Sequence, residues 1–417
     1  MKRQNRPPTT RTDSRSRLAN IPKDDRLVTA ALGGFEIVSY GTLYYCVAVV
    51  ANEVADDLTV TNEWIFACFS FALFASALVS LIAGRIMDRY GAGRTMKIAS
   101  VAGAISLGIA ATSWNAAVFA IALFGMQIAS TFLFCEAAFV FLVQRDVARA
   151  KAQITLLTLI VGFSSTLFWP LTSFLLTLIT WREVLGIYAV CDVLIALPLI
   201  VWVLRSPSVG ARDRIDIQDS QVCLKSSTNV MEFTLITIGF SLIGFVITAF
   251  GGQMVPILFS VGLGMEGALI SALFGPAQVL IRVFAASLTE KIATIQLTIV
   301  SSVLLCAATV TIALVSHSVF GVAAFVVLLG FSSGLDSICR GTLPLSMFGP
   351  GGYGSRVGLM NAFRLSTAAF APLLFSRIQT QYGIAFAFMF VAICGAGGTL
   401  AFVLVRIRSR QPASHQI

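Results

Sequence analysis

The sequence predicts an all-α membrane protein with twelve transmembrane helices in two pseudo-symmetric six-helix bundles, both chain termini lying in the cytoplasm. Of its 417 residues, 57% are hydrophobic and 12% are charged, whereas an average soluble domain has about 25% charged residues. Long apolar runs recur from Leu27 to Val405, each close to the ~20 residues that a helix needs to cross a bilayer. The composition therefore excludes a soluble globular protein.

The apolar runs form two groups of six, separated by one polar segment that is rich in charge and turn-forming residues. The predicted spans lie near 27–51, 64–87, 97–113, 116–143, 154–178, 182–204, 231–259, 266–289, 293–315, 319–341, 356–379 and 383–406. We therefore divide the chain into a cytoplasmic tail (1–26), a first bundle (27–204), a central cytoplasmic loop (205–230), a second bundle (231–406) and a second tail (407–417).

Lysine and arginine placement predicts the orientation. Basic residues crowd the N-terminal tail, alternate connections, the central loop and the C-terminus, while the intervening connections carry almost none. The positive-inside rule then places both termini in the cytoplasm. Short outer connections and the absence of any N-x-Ser/Thr sequon fit a bacterial inner (plasma) membrane.

The sequence lacks the motifs that are typical of several functional classes. There is no P-loop pattern, no Ser/His/Asp set and no metal-ligand spacing among eight cysteines and two histidines. We therefore expect no enzyme activity, no cofactor and no metal. The net charge is +9, and the basic residues behind it flank the apolar runs. This placement indicates membrane topology rather than nucleic-acid binding. A monomer in the lipid bilayer is expected.

The connection after the second span reads GRIMDRYGAGRTM, from Gly84 to Met96. It resembles the major facilitator superfamily signature G-x-x-x-D-R-x-G-x-[RK]-[RK], which follows the second helix in that family. The matching residues are Gly84, Asp88, Arg89, Gly91 and Arg94. The sequence departs from the pattern at Gly93, where a basic residue is usual. A solvated basic turn is the alternative interpretation.

This resemblance implies a secondary transporter that works by alternating access, moving a small-molecule substrate and in some members protons. It implies that Asp88 and Arg89 act in a gate that latches the two halves, with Arg145 as a partner at the end of the fourth span. The equivalent loop after the eighth span retains only Arg282, Glu290 and Lys291.

Four ionisable residues lie deep inside predicted spans: Glu36, Glu136, Arg282 and Arg364. At 1.5 Å per residue, each is about 12–15 Å from the nearest cytoplasmic charge, so the four share one layer. Both acids are in the first half and both bases in the second. This pattern predicts either an anion site formed by two guanidiniums, with the acids as proton carriers, or two Glu–Arg pairs that hold the halves together.

The eighth and eleventh spans resemble those of the oxalate–formate antiporter and monocarboxylate porter branch, in which cations on these helices bind substrate carboxylates. Arg282 and Arg364 match those cations, while Gln278 stands where monocarboxylate porters carry an acid. Asn361 and Tyr44 are further candidate substrate ligands. Asp336 and Arg340, four residues apart, are expected to pair with each other.

The preferred functional hypothesis is proton-coupled transport or exchange of a small carboxylate-like organic anion. The substrate-binding candidates are Arg282, Arg364, Gln278, Asn361 and Tyr44, and the proton-coupling candidates are Glu36 and Glu136. One alternative is a proton-driven exporter of a drug or toxic metalloid, dominated by the two acids. The other is a membrane sensor or scaffold that transports nothing. Asp192, in the sixth span, has no assigned role.

Overall fold

A computed structural model describes residues 23–206, 230–260, 270–288, 292–315 and 318–409 of the chain. Almost all of these residues are helical. Most of both predicted tails, nearly all of the central loop, and Glu290 and Lys291 lie outside the described residues.

The described helices, in chain order, are α1 (Lys23–Asp57), α2 (Asn62–Tyr90), α3 (Ala92–Ala111), α4 (Ala116–Arg145), α5 (Ala150–Leu176), α6 (Trp181–Arg205), α7 (Val230–Ser260), α8 (Phe274–Leu288), α9 (Thr294–Val315), α10 (Val319–Phe348), α11 (Tyr353–Tyr382) and α12 (Ile384–Arg408). Helix α1 begins four residues before the first predicted span. Ten helices in the described part of the chain are long and apolar enough to cross a membrane. Helices α3 and α8 are not among them, so the twelve-span count and the cytoplasmic termini stay predictions.

Local sequence determines where many helices begin. The Thr61 hydroxyl accepts from the backbone of Trp64 at the start of α2, and the Asn115 side chain accepts from Val118 at the start of α4. Thr180 and Glu183 form a reciprocal capping box before α6. These side chains satisfy backbone N–H groups that have no partner inside the helix. The connections between helices can therefore be short.

Two helices contain π-helical turns, at Gly41–Tyr45 in α1 and Asp192–Ala196 in α6. Two others are interrupted: α4 at 131–134, and α5 at Gly162 and Phe163. Such irregularities free backbone carbonyls from the regular helical pattern and are frequent at functional sites.

Buried apolar side chains form two clusters that follow the two halves. One extends from Val28 to Val203 and the other from Ile236 to Val405. The first cluster also includes Leu345, Tyr353 and Val357 from the second half of the chain. The end of α10 and the start of α11 therefore pack into the core of the opposite half.

Helices α2 and α11 form a close contact between the halves at the end predicted to be cytoplasmic. The Ser80 hydroxyl donates to the carbonyl of Gly358 at 3.0 Å. A Cβ added to Gly84 would overlap the carbonyl oxygen of Gly354, and one added to Gly358 would lie 3.0 Å from the Cα of Gly84. Small residues let two helix backbones approach in this way. Farther along the same pair, the Phe74 and Phe370 rings lie 6.0 Å apart.

Replacing Gly84 with alanine should separate the α2 and α11 ends, because the new methyl group has no room against the Gly354 carbonyl. Overpacking of this kind costs roughly 1–3 kcal/mol. Hydrogen–deuterium exchange of the peptide covering 353–360 should become faster. Gly108→Ala, at a site with no neighbouring atom within 4 Å, is the control. Unchanged protection of 353–360 in Gly84→Ala would contradict the contact.

Candidate functional site

A cavity of about 220 Å³ lies between the two halves. Its lining comes from α1, α4 and α5 of the first half and from α7, α8, α10 and α11 of the second. The charged and amide side chains among the lining are Gln278, Arg282, Asp336, Arg340 and Arg364. Hydroxyl groups and one thiol line the rest: Tyr40, Tyr45, Cys135, Thr158, Ser165, Thr248, Ser333 and Ser337. The cavity is thus polar, within a chain that is mostly apolar.

Arg282 reaches from α8 across to the first half. Its Nη1 donates to the carbonyl of Thr158 at 3.1 Å, next to the break in α5. A Cβ on Gly162 would overlap the same nitrogen, so this glycine makes room for the guanidinium. The Arg282 side chain is only 7% exposed and its Nε has no hydrogen-bond partner. Among the residues that the structure describes, no carboxylate lies within 4 Å of it.

Arg340 forms two ion pairs, one within its own helix and one across the cavity. Its Nε donates to Asp336 at 3.0 Å, as the four-residue spacing predicts. Its Nη1 donates to Glu136 of α4, in the other half, at 2.8 Å. Sequence reasoning gave Arg340 a local structural role and missed its place in the cavity. The only available signal was an acid–base pair inside an apolar run.

Arg364 lies on α11, against α7. Its Nε and Nη2 donate to the side-chain oxygen of Asn361, at 3.3 and 3.0 Å, and its Nη2 lies 3.7 Å from Glu136. A Cβ on Gly244 would lie 2.8 Å from the Cγ of Arg364. Asn361 therefore orients this guanidinium, and Gly244 gives it room.

The two predicted acids have different surroundings. Glu136 contacts both Arg340 and Arg364. Glu36 is fully buried, and within the described part of the chain neither of its carboxylate oxygens has a hydrogen-bond partner under ordinary distance and angle limits. Its neighbours include Cys135 and Glu136. Pairing between the halves thus involves Glu136, while no arginine among the described residues forms an ion pair with Glu36.

Gln278 and Tyr44 also differ in position. Gln278 lines the cavity and donates to the Ser333 hydroxyl at 3.0 Å. Tyr44 is not among the lining residues; its ring packs edge-on against Tyr45 and close to Phe69. Tyr40 and Tyr45, which flank it, reach the cavity instead.

The predicted gate residues lie at the α2–α11 contact, where Asp88 caps the first turn of α11. One Asp88 oxygen accepts from the backbone of Gly354 at 2.9 Å. The other accepts from the backbone and hydroxyl of Ser355, at 2.7 and 2.6 Å. A carboxylate at a helix N-terminus satisfies unpaired N–H groups and interacts favourably with the helix dipole.

The other predicted gate residues make separate contacts. The Arg89 guanidinium lies 5.3 Å from the Tyr90 ring centre, and Gly91 ends α2 with a φ of 86°. Arg94 and Arg145 line a surface pocket of about 630 Å³. Arg145 donates to the carbonyl of Ser206, at the start of the predicted central loop, at 3.1 Å and lies 3.9 Å from Asp25, at the end of the predicted N-terminal tail.

Gln144 was not predicted, yet it holds in place the turn between α2 and α3, where the predicted gate residues lie. Its side-chain oxygen accepts from the backbone of Ala92 at 2.8 Å, and its nitrogen donates to the Met87 carbonyl at 2.9 Å. One amide therefore joins the end of α2 to the start of α3. An amide at this spacing has no distinctive sequence pattern.

Comparisons with known proteins agree with this architecture. A family model described as Major Facilitator Superfamily matches residues 35–372. A search of curated proteins finds no match. Among solved structures, the human organic anion transporter MFSD10 (TETRAN) is 15% identical with a TM-score of 0.67, over 92% of this chain and 100% of that one.

Two further structures have the same fold. The Major Facilitator Superfamily transporter FucP in the outward conformation is 14% identical with a TM-score of 0.73, over 93% of this chain and 100% of that one. The proton:xylose symporter XylE bound to 6-bromo-6-deoxy-D-glucose is 14% identical with a TM-score of 0.68, over 92% of this chain and 95% of that one. With a family model that covers most of the sequence, the chain belongs to the Major Facilitator Superfamily and is a multi-pass membrane transporter of the secondary class rather than an enzyme.

Proposed function

We propose that this protein transports a small organic anion through the central cavity, by alternating access of its two halves. The observation that carries the proposal is Arg282, a buried guanidinium in the cavity wall with no carboxylate within 4 Å among the described residues. A charge at this depth is expensive unless it has a partner or serves transport. A carboxylate substrate would provide that partner through charge-assisted hydrogen bonds.

The balance of charge around the cavity supports an anion. Three arginines line it, and the acids within 4 Å of them are Asp336 and Glu136. Arg340 contacts both acids, and Arg364 is nearest to Glu136. With all five groups ionised, one positive charge remains, and in surroundings of low dielectric its attraction for an anion is strong.

The same arrangement argues against a cationic drug as substrate. Glu136 already contacts two arginines, and Glu36 is not among the cavity-lining residues. Neither acid therefore offers a free carboxylate to a cation in the cavity. MFSD10, which shares the fold, is an organic anion transporter; its substrate class is consistent with our proposal but belongs to that protein.

Proton coupling is the second part of the proposal. A buried carboxylate without a partner is so costly that such groups take up a proton instead. Glu36 is fully buried, and its polar neighbour in the described residues is the weakly donating Cys135 thiol, with no oxygen or nitrogen partner, so we assign the transported proton to Glu36. Glu136 would exchange its arginine contacts for solvent or a proton as the halves move. We also propose twelve spans, cytoplasmic termini, a monomer and a bacterial inner-membrane location, on the grounds of the sequence.

Replacing Arg282 with glutamine should reduce uptake of the transported carboxylate by roughly tenfold or more, because a hydrogen bond to a charged group is worth about 1.5–3 kcal/mol. A thermal-shift screen of the purified protein against small carboxylates identifies the ligand, and proteoliposome uptake then measures transport. Gln278→Glu, which adds a negative charge one turn from Arg282, should also weaken binding. Undiminished uptake by Arg282→Gln would refute the proposed role.

Replacing Gly162 with alanine should weaken anion binding while leaving Arg282 itself intact. The added methyl group would overlap the Arg282 guanidinium and displace it from the Thr158 carbonyl. The apparent Km for the anion should rise more than the maximal rate falls.

Gly275→Ala on α8 is the matched control, since a Cβ there meets no atom within 4 Å. Equal kinetics in Gly162→Ala and Gly275→Ala would show that the position of Arg282 beside α5 does not matter for binding.

A further inference from the structure

Asp192 is a buried acid that the proposed transport cycle does not use. It lies in α6, about 17 Å from Trp181 and 20 Å from Arg205 at 1.5 Å per residue, and it is 3% exposed. No lysine or arginine in the described residues lies within 4 Å of its carboxyl group. Acids at such depth in membrane helices are rare and mark functional sites.

Thr42 of α1 is the hydrogen-bond partner of Asp192. The Thr42 hydroxyl oxygen lies 3.0 and 3.1 Å from the two Asp192 oxygens, and 2.9 Å from the Val38 carbonyl. A hydroxyl has one hydrogen and two acceptor positions. If Asp192 were ionised, this single hydrogen would have to serve both the carboxylate and the carbonyl. If Asp192 is neutral, its O–H donates to Thr42, and Thr42 donates to Val38.

No neighbouring charge in the described part of the chain offsets an ionised Asp192. The elements packed against its turn are α1, α3 and the adjoining parts of α6. Helix α1 contributes Thr42 and the thiol of Cys46, and α6 contributes the thiol of Cys191, while the Tyr188 hydroxyl forms a hydrogen bond with Thr172 instead. Helix α3 has no titratable side chain from Ile98 to Ala111. Asp192 also lines an apolar groove of about 510 Å³ between α3 and α6, away from the central cavity.

The Thr42–Asp192 contact joins two irregular turns. Thr42 lies inside the π-helical turn of α1, and Asp192 is the first residue of the π-helical turn of α6. Within the α1 turn, the backbone N–H of Cys46 donates to the Gly41 carbonyl, five residues back. Tyr40, the residue before this wider turn, and Tyr45, its last residue, both line the cavity, whereas Tyr44 does not.

We propose that Asp192 is a proton-binding site, separate from the anion cavity, that holds a proton in this conformation and donates a hydrogen bond from it to the Thr42 hydroxyl oxygen. The bond stabilises the π-helical turn of α1, so Asp192 is a positioning residue for Tyr40 and Tyr45. Loss of the proton would reverse the bond: Thr42 would donate its one hydrogen to the carboxylate and withdraw it from the Val38 carbonyl, which would allow α1 to adopt another turn. The effect of Asp192 on transport rests on the proposed function, whereas the inference that Asp192 binds a proton does not.

Infrared difference spectroscopy of the purified full-length protein over a pH series tests the site directly. We expect a protonated-carboxyl band that disappears in Asp192→Asn and shifts in Thr42→Val. Glu36→Gln should leave this band in place, because its carboxyl group lies in a different part of α1. If no band depends on Asp192, the inference is wrong, whether or not the protein carries an anion.

Transport in proteoliposomes tests the positioning role. Asp192→Asn keeps a donor and an acceptor for Thr42 but cannot ionise. It should therefore retain uptake and lose activity at a higher pH than the wild-type protein, in which Asp192 gives up its proton; the loss that remains belongs to the transported proton. Asp192→Ala should raise the apparent Km by about tenfold, the effect of losing a buried hydrogen bond, and Thr42→Ser should be close to wild type.

Two results would overturn this role: an Asp192→Asn protein with the wild-type pH profile, or one as impaired as Asp192→Ala. If wild-type protein takes up no anion at all, the proposed substrate class is refuted, and the infrared band still decides whether Asp192 binds a proton.

Discussion

The arrangement around the central cavity depends on one constraint, the compensation of buried guanidinium groups. Three arginines stand where water is scarce, and each must satisfy its N–H groups from the protein or from a ligand. Arg340 and Arg364 do so through Asp336, Glu136 and Asn361. The contacts to Glu136 cross from the second half to the first, so the same charges that shape the cavity also hold the halves in register.

Arg282 satisfies the constraint in a different way. Its contact is a backbone carbonyl at the break in α5, which exerts a weaker attraction than a carboxylate. Gly162 leaves the space for the guanidinium, and the Thr158 carbonyl accepts from both the Gly162 backbone, at 3.2 Å, and Arg282. Because this carbonyl already has a backbone partner, its interaction with the guanidinium is a shared one. A ligand that binds Arg282 can thus replace a modest interaction with a stronger one.

Much of the fold could be predicted from the sequence, because apolar runs, basic connections and the Gly84–Arg94 motif are local signals. The resemblance of that motif to the family signature predicted a gate at Asp88, and its contact with the N-terminus of α11 comes from the structure. Side-chain pairing could not be predicted in the same way. Glu136 and Arg340 are 204 positions apart, and depth along a helix says nothing of the direction in which a side chain points.

The tyrosines of α1 show this limit most clearly. Regular helical spacing gave no reason to prefer Tyr40 and Tyr45 to Tyr44, and the π-helical turn between Gly41 and Tyr45 changes which of them faces inward. Such a turn inserts an extra residue per turn and rotates everything beyond it. No residue type specifies it locally; in this protein it accompanies a long-range contact between Thr42 and Asp192.

The packing of Leu345, Tyr353 and Val357 into the core of the first half affects the free energy of the movement between the two orientations of the halves. When the α2 and α11 ends separate, these side chains leave that core, and each fully exposed apolar side chain costs about 1.5–3 kcal/mol. The empty protein should therefore rest with this end shut. Because exposure of apolar surface carries a positive heat-capacity change, the balance between the two orientations should shift with temperature in a curved rather than a linear manner. The temperature dependence of opening should thus come from three side chains that do not line the cavity.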